Sequence, residues 1–365
     1  CSVIGNEAMR FQFLLESNRL TAKEKEMYNQ LTTIGKADED AFIMSDGILM
    51  GSLYTLSSLL KKHYNKNVII LIDEYDVPLA KANEGGYYDQ MVLLIRNIFE
   101  RALKTNDNLH FAVLTGCLRV AKESIFTGLN NFKVLSIMDV RFNEYFGFTD
   151  KEVLELLNYF GLSGLYGTVK EWYDGYRFGN VDVYCPWDVI CYVDKARLNP
   201  GAQPESFWSN TSDNSVIRHF LEDARSITKQ EIERLISGES IVKTIRQELT
   251  YKDMYASVDN IWSLLFTTGY LTQRGEPEGN RIRLSIPNRE IKNIFEEQIT
   301  EWFQTTARKD GTSLDAFCES FKNGDPAGAE KKFNEYLSRT ISIRDTAVRK
   351  EMKENYFHGL LLGLL

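Results

Sequence analysis

Val68-Ile69-Ile70-Leu71-Ile72-Asp73-Glu74-Tyr75-Asp76 is the stretch that decides the fold. Its first five residues are apolar, mostly β-branched and uninterrupted. That is the pattern of a strand buried on both faces of a parallel sheet. Two adjacent carboxylates follow at the strand's C-terminal end, the edge where ligands bind in open α/β sheets.

The flanking residues read as alternating helix and strand. Upstream, residues 46–64 place Ile48, Leu49, Leu53, Leu56, Leu59 and Leu60 on one side of a helix. Earlier still, Thr21 and Glu24 form a capping box, in which the Thr side chain accepts a backbone N–H while the Glu reaches back. Downstream, residues 87–104 carry Met91, Leu94, Ile95, Ile98, Phe99 and Ala102 at helical spacing. Phe111-Ala112-Val113-Leu114 predicts the next core strand, and Val134-Leu135-Ser136-Ile137-Met138 a third. Each connection exceeds the length a parallel crossover needs. The expected class is α/β with a parallel sheet.

Beyond Phe148 the pattern changes. Thr149 and Glu152 make a second capping box, followed by Val153, Leu156, Leu157 and Phe160 at helical spacing. To about Ile236 the chain reads as mainly helical, broken by an aromatic, glycine-rich loop at 172–187. At 258–290, Ile261-Trp262-Ser263-Leu264-Leu265 leads into the short strands Tyr270-Leu271-Thr272 and Ile282-Arg283-Leu284. A turn signal at 275–279 separates them, and a helix plus hairpin of this size suits a winged helix. From about Ser313 the chain reads as helical again and ends in the apolar run 356–365.

Successive side chains on a strand diverge. One acid can therefore hold a Mg2+-bound water while its neighbour faces an attacking water, the arrangement of an ATPase Walker B strand. Asp73 is the candidate metal ligand and Glu74 the candidate base; an acidic turn after a core strand is the plainer alternative. Thr115 ends the next strand, where P-loop ATPases often place a residue sensing the γ-phosphate. Arg119, four residues later, could reach a phosphate or the acidic pair, although a Thr-Gly turn and a surface Arg describe the same residues. No G-x-x-x-x-G-K-[ST] loop occurs in the sequence, and neither Gly47 nor Gly51 is followed by Lys-Ser or Lys-Thr. Without that loop nothing in these residues cradles the β- and γ-phosphates.

Composition sets the outer limits. The 365 residues allow two domains and a small third, with 43% hydrophobic and 26% charged residues as in soluble globular proteins. A net charge of −8 argues against a wholly basic nucleic-acid coat and leaves room for a local basic groove. No apolar stretch approaches the roughly 20 residues that span a bilayer, so no membrane partner is expected. Five cysteines without a C-x-x-C pair, and four scattered histidines, point to a reducing cytoplasm and no structural zinc. Lys61, Lys62 and Lys66 read as a solvated helix end and not as a DNA patch.

Together these residues resemble a family. Segment 71–79 (LIDEYDVPL) looks like the Walker B segment of bacterial AAA-ATPase-like proteins that carry a C-terminal PD-(D/E)XK nuclease domain. Segment 115–131 (TGCLRVAKESIFTGLNN) is similar to the family's stretch after the sensor strand, and 145–149 (YFGFT) to its entry into a helical lid. Segments 172–179 (WYDGYRFG) and 184–187 (YCPW) resemble its lid loop, with Cys185 where Asn is commoner; 207–212 (FWSNTS) and 286–288 (IPN) also fit.

The resemblance implies a P-loop NTPase core without its Walker A loop over 1–147, a helical lid over 148–240, a winged-helix-like region over 241–308, and a helical linker with the start of a nuclease-type domain over 309–365. Cys1 then looks like an interior residue of a longer domain instead of a lipidated N-terminus. The resemblance also implies ATP and Mg2+ as cofactors, with Asp73 holding the metal and Asp73, Glu74, Thr115 and Arg119 as catalytic residues. Asp76, Tyr173, Asp174 and Arg177 would lie near the nucleotide; a satellite aromatic core built by Trp172, Tyr176, Phe178 and Trp187 is the alternative for that loop. In the intact protein an ATP cycle would regulate nucleic-acid processing, with DNA met through the nuclease domain or the winged-helix-like region, and a homo-oligomer would be compatible. This chain alone would be inactive. The competing expectation is a non-catalytic interaction or regulatory module on a degenerate ATPase scaffold.

Overall fold

The computed structural model describes residues 1–35, 41–117, 132–208, 226–251 and 257–309, with short pieces between 319 and 332. The chain divides into two compact units, Cys1–Val134 with Gln247–Met254 and Leu135–Arg246 with Tyr255–Leu365. Both mix helices and strands, and the first holds a small parallel sheet, so the α/β class stands.

The first unit runs α1 (Ser2–Met9), α2 (Ala22–Thr32), α3 (Asp46–Tyr64), β1 (Val68–Ile72), α4 (Val77–Glu84), α5 (Tyr88–Phe99) and β2 (Leu109–Leu114). The capping box of α2 forms as read: Glu24 N–H donates to Thr21 Oγ1, and Thr21 N–H donates to Glu24 Oε2 at 2.8 Å. Lys62 reaches the same carboxylate at 2.7 Å, and its ammonium, then the Thr21 donors, hold the Glu24 carboxyl down to about 2. Ser45 caps α3 by accepting the Ile48 N–H, and Asn65 ends it in the left-handed conformation, φ 55°. Leu49, Leu56, Leu59 and Leu60 of α3 pack with Ala8, Leu14, Tyr28 and Leu31. A single π-helical turn, Glu100–Lys104, completes the long helical segment begun by α5.

β1 and β2 pair in parallel, with Ile69 opposite Phe111, Ile70 opposite Ala112 and Leu71 opposite Val113. The expectation of burial on both faces is corrected here. Ile70 is buried and Val68 packs on the helical core, but Ile69, Phe111 and Val113 are about half exposed and Leu71 more so. Leu71 is 72% exposed. The apolar run is there, but the packed helices serve only its even-numbered positions.

The third strand expected at 134–138 is also absent. Ser136 N–H donates to Asp139 Oδ2 at 2.7 Å, and Asp139 N–H returns to the Ser136 carbonyl at 3.0 Å. This side-chain-supported turn competes successfully with strand geometry. Ile137 and Met138 instead pack against a core of the second unit.

The second unit contains α6 (Asp150–Tyr159), α7 (Tyr166–Tyr173), β3 (Tyr176–Phe178), β4 (Val181–Val183), α8 (Pro186–Leu198), α9 (Ser226–Ile236), β5 (Ile241–Thr244), α10 (Val258–Thr267), β6 (Thr272–Gln273), β7 (Arg281–Ser285) and α11 (Arg289–Lys309). The Thr149–Glu152 capping box opens α6. One core gathers Val153, Leu157, Val169, Tyr173, Tyr184 and Tyr192, with Trp172 against it; of the other residues expected to build a satellite aromatic core, Tyr176 packs on a different core and Trp187 is exposed. A second core, around Trp262, Phe266 and Phe295, lies on an antiparallel sheet of order β5-β7-β6. β5 has no counterpart in the sequence reading. Gly175 sits at φ 101°, and a Cβ there would lie 2.2 Å from the Pro287 carbonyl oxygen, so only glycine fits. No helix among the described residues is long and apolar enough to cross a membrane.

Candidate functional site

The C-terminal ends of β1 and β2 stay hydrogen-bonded past the last strand residues. Thr115 N–H donates to the Ile72 carbonyl at 2.9 Å and Tyr75 N–H donates to the Thr115 carbonyl at 3.0 Å. This fixes the chain through the acidic stretch. Thr115 Oγ1 donates a short hydrogen bond to Asp73 Oδ1, and the Glu74 N–H donates to the same oxygen at 3.0 Å. Asp73 and Glu74 are both exposed. Glu74 adopts φ 51°, a left-handed conformation that costs a non-glycine residue on the order of 1 kcal/mol.

Asp76 behaves differently. It is 2% exposed and accepts the Cys117 N–H at 3.3 Å and the Tyr251 hydroxyl at 3.0 Å. Burial and then the Asp76 charge push the Tyr251 hydroxyl above its usual range. The Cys117 thiol is raised by burial first, then by Asp76, Glu74 and Asp73, so it stays protonated and is a poor nucleophile. A Cβ on Gly116 would lie 2.5 Å from Asp76 Oδ1, so this turn closes only around a glycine. Asp76 thus tethers the loop that presents Asp73 and Glu74.

Asp73, Glu74, Thr115 and Asp76 are therefore brought together at one sheet edge, while Arg119 lies outside the described residues, as do the rest of 118–131, 209–225 and 333–365. Tyr173, Asp174 and Arg177 fall in the second unit, each engaged within it. The Tyr173 ring is fully buried and its hydroxyl donates to the Glu205 carbonyl at 3.1 Å; burial raises its pKa. Asp174 pairs with Lys170 at 3.2 Å, and Arg177 with Asp182 at 3.1 Å across the β3–β4 hairpin.

Sequence reasoning missed a second acid pair. Asp188, in the first turn of α8, and Glu290, in the first turn of α11, are 1% and 0% exposed and face each other. Trp208 N–H donates to Glu290 Oε1 at 2.9 Å. Asp188 Oδ1 and Oδ2 and Glu290 Oε2 are buried with no hydrogen-bond donor among the described residues, and two carboxyls so placed favour a proton on one of them over two charges. Burial, then the Asp188 charge, pushes the Glu290 carboxyl up to about 8, and burial raises Asp188 as well. Cys185, Tyr173 and Tyr176 lie close enough to the pair to feel its charge. The sequence reading placed no helix start at either acid, although Pro186 in the first turn of α8 and Asn288 before α11 are signals for one.

With this geometry in place, residues 8–126 match the AAA-ATPase-like family model, described as a predicted AAA-ATPase. The match covers about a third of the chain and includes β1, the acidic pair and β2. An uncharacterised protein in the vnfD 5′ region of Azotobacter chroococcum mcd 1 is 26% identical over 242 residues, 64% of this chain and 43% of the relative. The chain thus spans less than half the length of that relative. No solved structure matches.

Proposed function

We propose that the first unit supplies the metal and water-positioning side of an ATP-hydrolysing site. The observation that carries this reading is the Asp73–Thr115 hydrogen bond across the C-terminal ends of two adjacent parallel strands, with Glu74 exposed beside it. The match of residues 8–126 to the AAA-ATPase-like model supports it.

The residues present suit Mg2+. Asp73 and Thr115 offer hard oxygen donors, and Mg2+ is commonly held by one or two carboxylates, with phosphate oxygens and water completing its shell. When bound, the ion would neutralise charge on the phosphates. Asp73 would hold it; Thr115 orients Asp73; Glu74 accepts a hydrogen bond from a water on the exposed side of the loop. Asp76 keeps the loop in register through Cys117 N–H and Tyr251. In this reading Arg119 reaches the phosphates, and Tyr173, Asp174 and Arg177 act on the second unit's own packing. The helix-plus-sheet of α10 and β5–β7 takes a winged-helix role, and the longer protein couples the ATP cycle to a nuclease domain.

The test is Mg-ATP turnover by the full-length gene product that contains this chain. Turnover that requires Asp73 and Glu74 is expected. Hydrolysis unchanged in Glu74→Gln would remove the role given to Glu74. The isolated chain should bind Mg-ATP no more tightly than millimolar, and a micromolar constant by calorimetry would show that the phosphates are held by residues other than an upstream loop.

A further inference from the structure

The second unit contains a groove of about 980 Å3 beside the start of α11. Five cations line it: Arg234, Arg274, Arg283, Arg289 and Lys292. Three of them have a carboxylate in the same wall. Arg234 pairs with Glu239 at 2.8 Å, Arg289 with Glu171 at 2.7 Å, and Lys292 with Glu296 at 3.9 Å.

The other two are placed differently. Arg274 N–H donates to the Arg283 carbonyl at 2.7 Å, continuing the ladder in which Thr272 faces Ser285 and Gln273 faces Leu284. Arg274 and Arg283 are thus directly opposite on adjacent antiparallel strands, where side chains share a face. Like charges in that position are destabilising. Neither has a carboxylate partner among the described residues. Arg274 is instead fixed by neutral acceptors, with Nε donating to Ser285 Oγ at 2.9 Å and Nη2 to the Pro287 carbonyl at 3.3 Å. This holds one guanidinium in position and leaves its remaining donors, with those of Arg283, facing the groove.

A like-charge pair with one guanidinium held in place, in a chain of net charge −8, is what an anion bridging both guanidiniums would stabilise. Guanidinium forks match phosphate oxygens bidentately, better than they match a single point charge. Asn288 caps α11 by accepting the Ile291 N–H at 3.0 Å and also lines the groove, so the positive end of a long helix faces the same space. We propose that this groove binds a ligand bearing two or more phosphate groups, with Arg274 and Arg283 as the phosphate-reading pair and Arg289 and Lys292 as flanking charges. The proposal goes beyond the ATP site of the first unit and stands if that reading fails.

Two probes test it on the chain as described: sodium tripolyphosphate by calorimetry, and a short labelled oligo-thymidine strand by fluorescence polarisation across a salt series. Binding of either probe, weakened at least about tenfold in the double variant Arg274→Gln, Arg283→Gln, supports the site. If the strand binds, its log affinity against log salt should lose roughly one to two units of slope in that variant. Tripolyphosphate binding alone identifies a free polyphosphate ligand; strand binding identifies a nucleic-acid backbone. Arg283→Gln alone relieves the repulsion, so its unliganded Tm should equal or exceed that of the unaltered chain while binding falls. Arg283→Lys should keep part of the binding. Failure of both probes to bind, or equal binding by the double variant, overturns the proposal.

Discussion

The molecule contains two acid pairs in opposite settings. Asp73 and Glu74 stand exposed at the end of a parallel strand, with Thr115 Oγ1 and a backbone N–H donating to Asp73. Asp188 and Glu290 are sealed at two helix starts, with one backbone N–H donated to Glu290 and no donor on the Asp188 oxygens among the described residues. Solvent can supply water or a cation to the first pair, so it suits chemistry. The second pair must keep a proton to exist at all, so it suits holding two helices together under a pH-dependent condition. The residue type is shared; burial assigns the role.

The largest effect that would break this contrast is catalytic. Glu74→Gln in the full-length gene product should lower Mg-ATP turnover by at least about 100-fold while leaving nucleotide affinity near its starting value. A parallel loss of affinity would place Glu74 in binding instead.

The second is a stability profile. The folded state holds the Glu290 proton up to about 8, whereas the unfolded carboxyl releases it near the ordinary 4.5. The folded state therefore binds more protons in between, and stability falls as pH rises from 4.5 to 8. The double variant Asp188→Asn, Glu290→Gln removes this titration. Its Tm should gain on the unaltered chain by at least about 3 °C between pH 5 and pH 8.5, equivalent to roughly 1 kcal/mol. A gap that does not widen means that no proton is shared.

Third, Thr115→Ala leaves the Glu74 N–H as the one donor to Asp73 among the described residues. The Mg2+ concentration for half-maximal turnover should rise about tenfold, as loss of an outer-shell partner commonly does. The smallest effect compares the two units through their shared local motif. Thr21→Ala and Thr149→Ala each remove a capping-box acceptor, and each should cost about 1 kcal/mol by denaturant unfolding. A markedly larger loss at Thr149 would show that the α6 start is coupled to more than its own first turn.

Much of the local structure was legible. The helix over 46–64, both capping boxes, the strand before Asp73 and, over 258–290, the helix and second strand follow from spacing and capping chemistry, whereas the strand expected at 270–272 forms at 272–273. Two readings failed for the same reason. The run 68–72 was expected to be buried on both faces, yet Ile69 and Leu71 face outward. Residues 134–138 carry strand-forming side chains, yet Ser136 and Asp139 fold them into a turn. Local pattern reports what a segment can bury, and not which neighbours arrive to bury it.

The sequence by itself determined the helix over 46–64, both capping boxes and the strand that ends in Asp73 and Glu74, because each rests on interactions within a few residues. Only the tertiary structure decided that Thr115 meets Asp73, that Asp76 turns inward to Tyr251, that Asp188 meets Glu290, and that Arg274 lies opposite Arg283. Those contacts join residues distant in the chain. Their energies come from desolvation and charge at closed positions, which no local periodicity records.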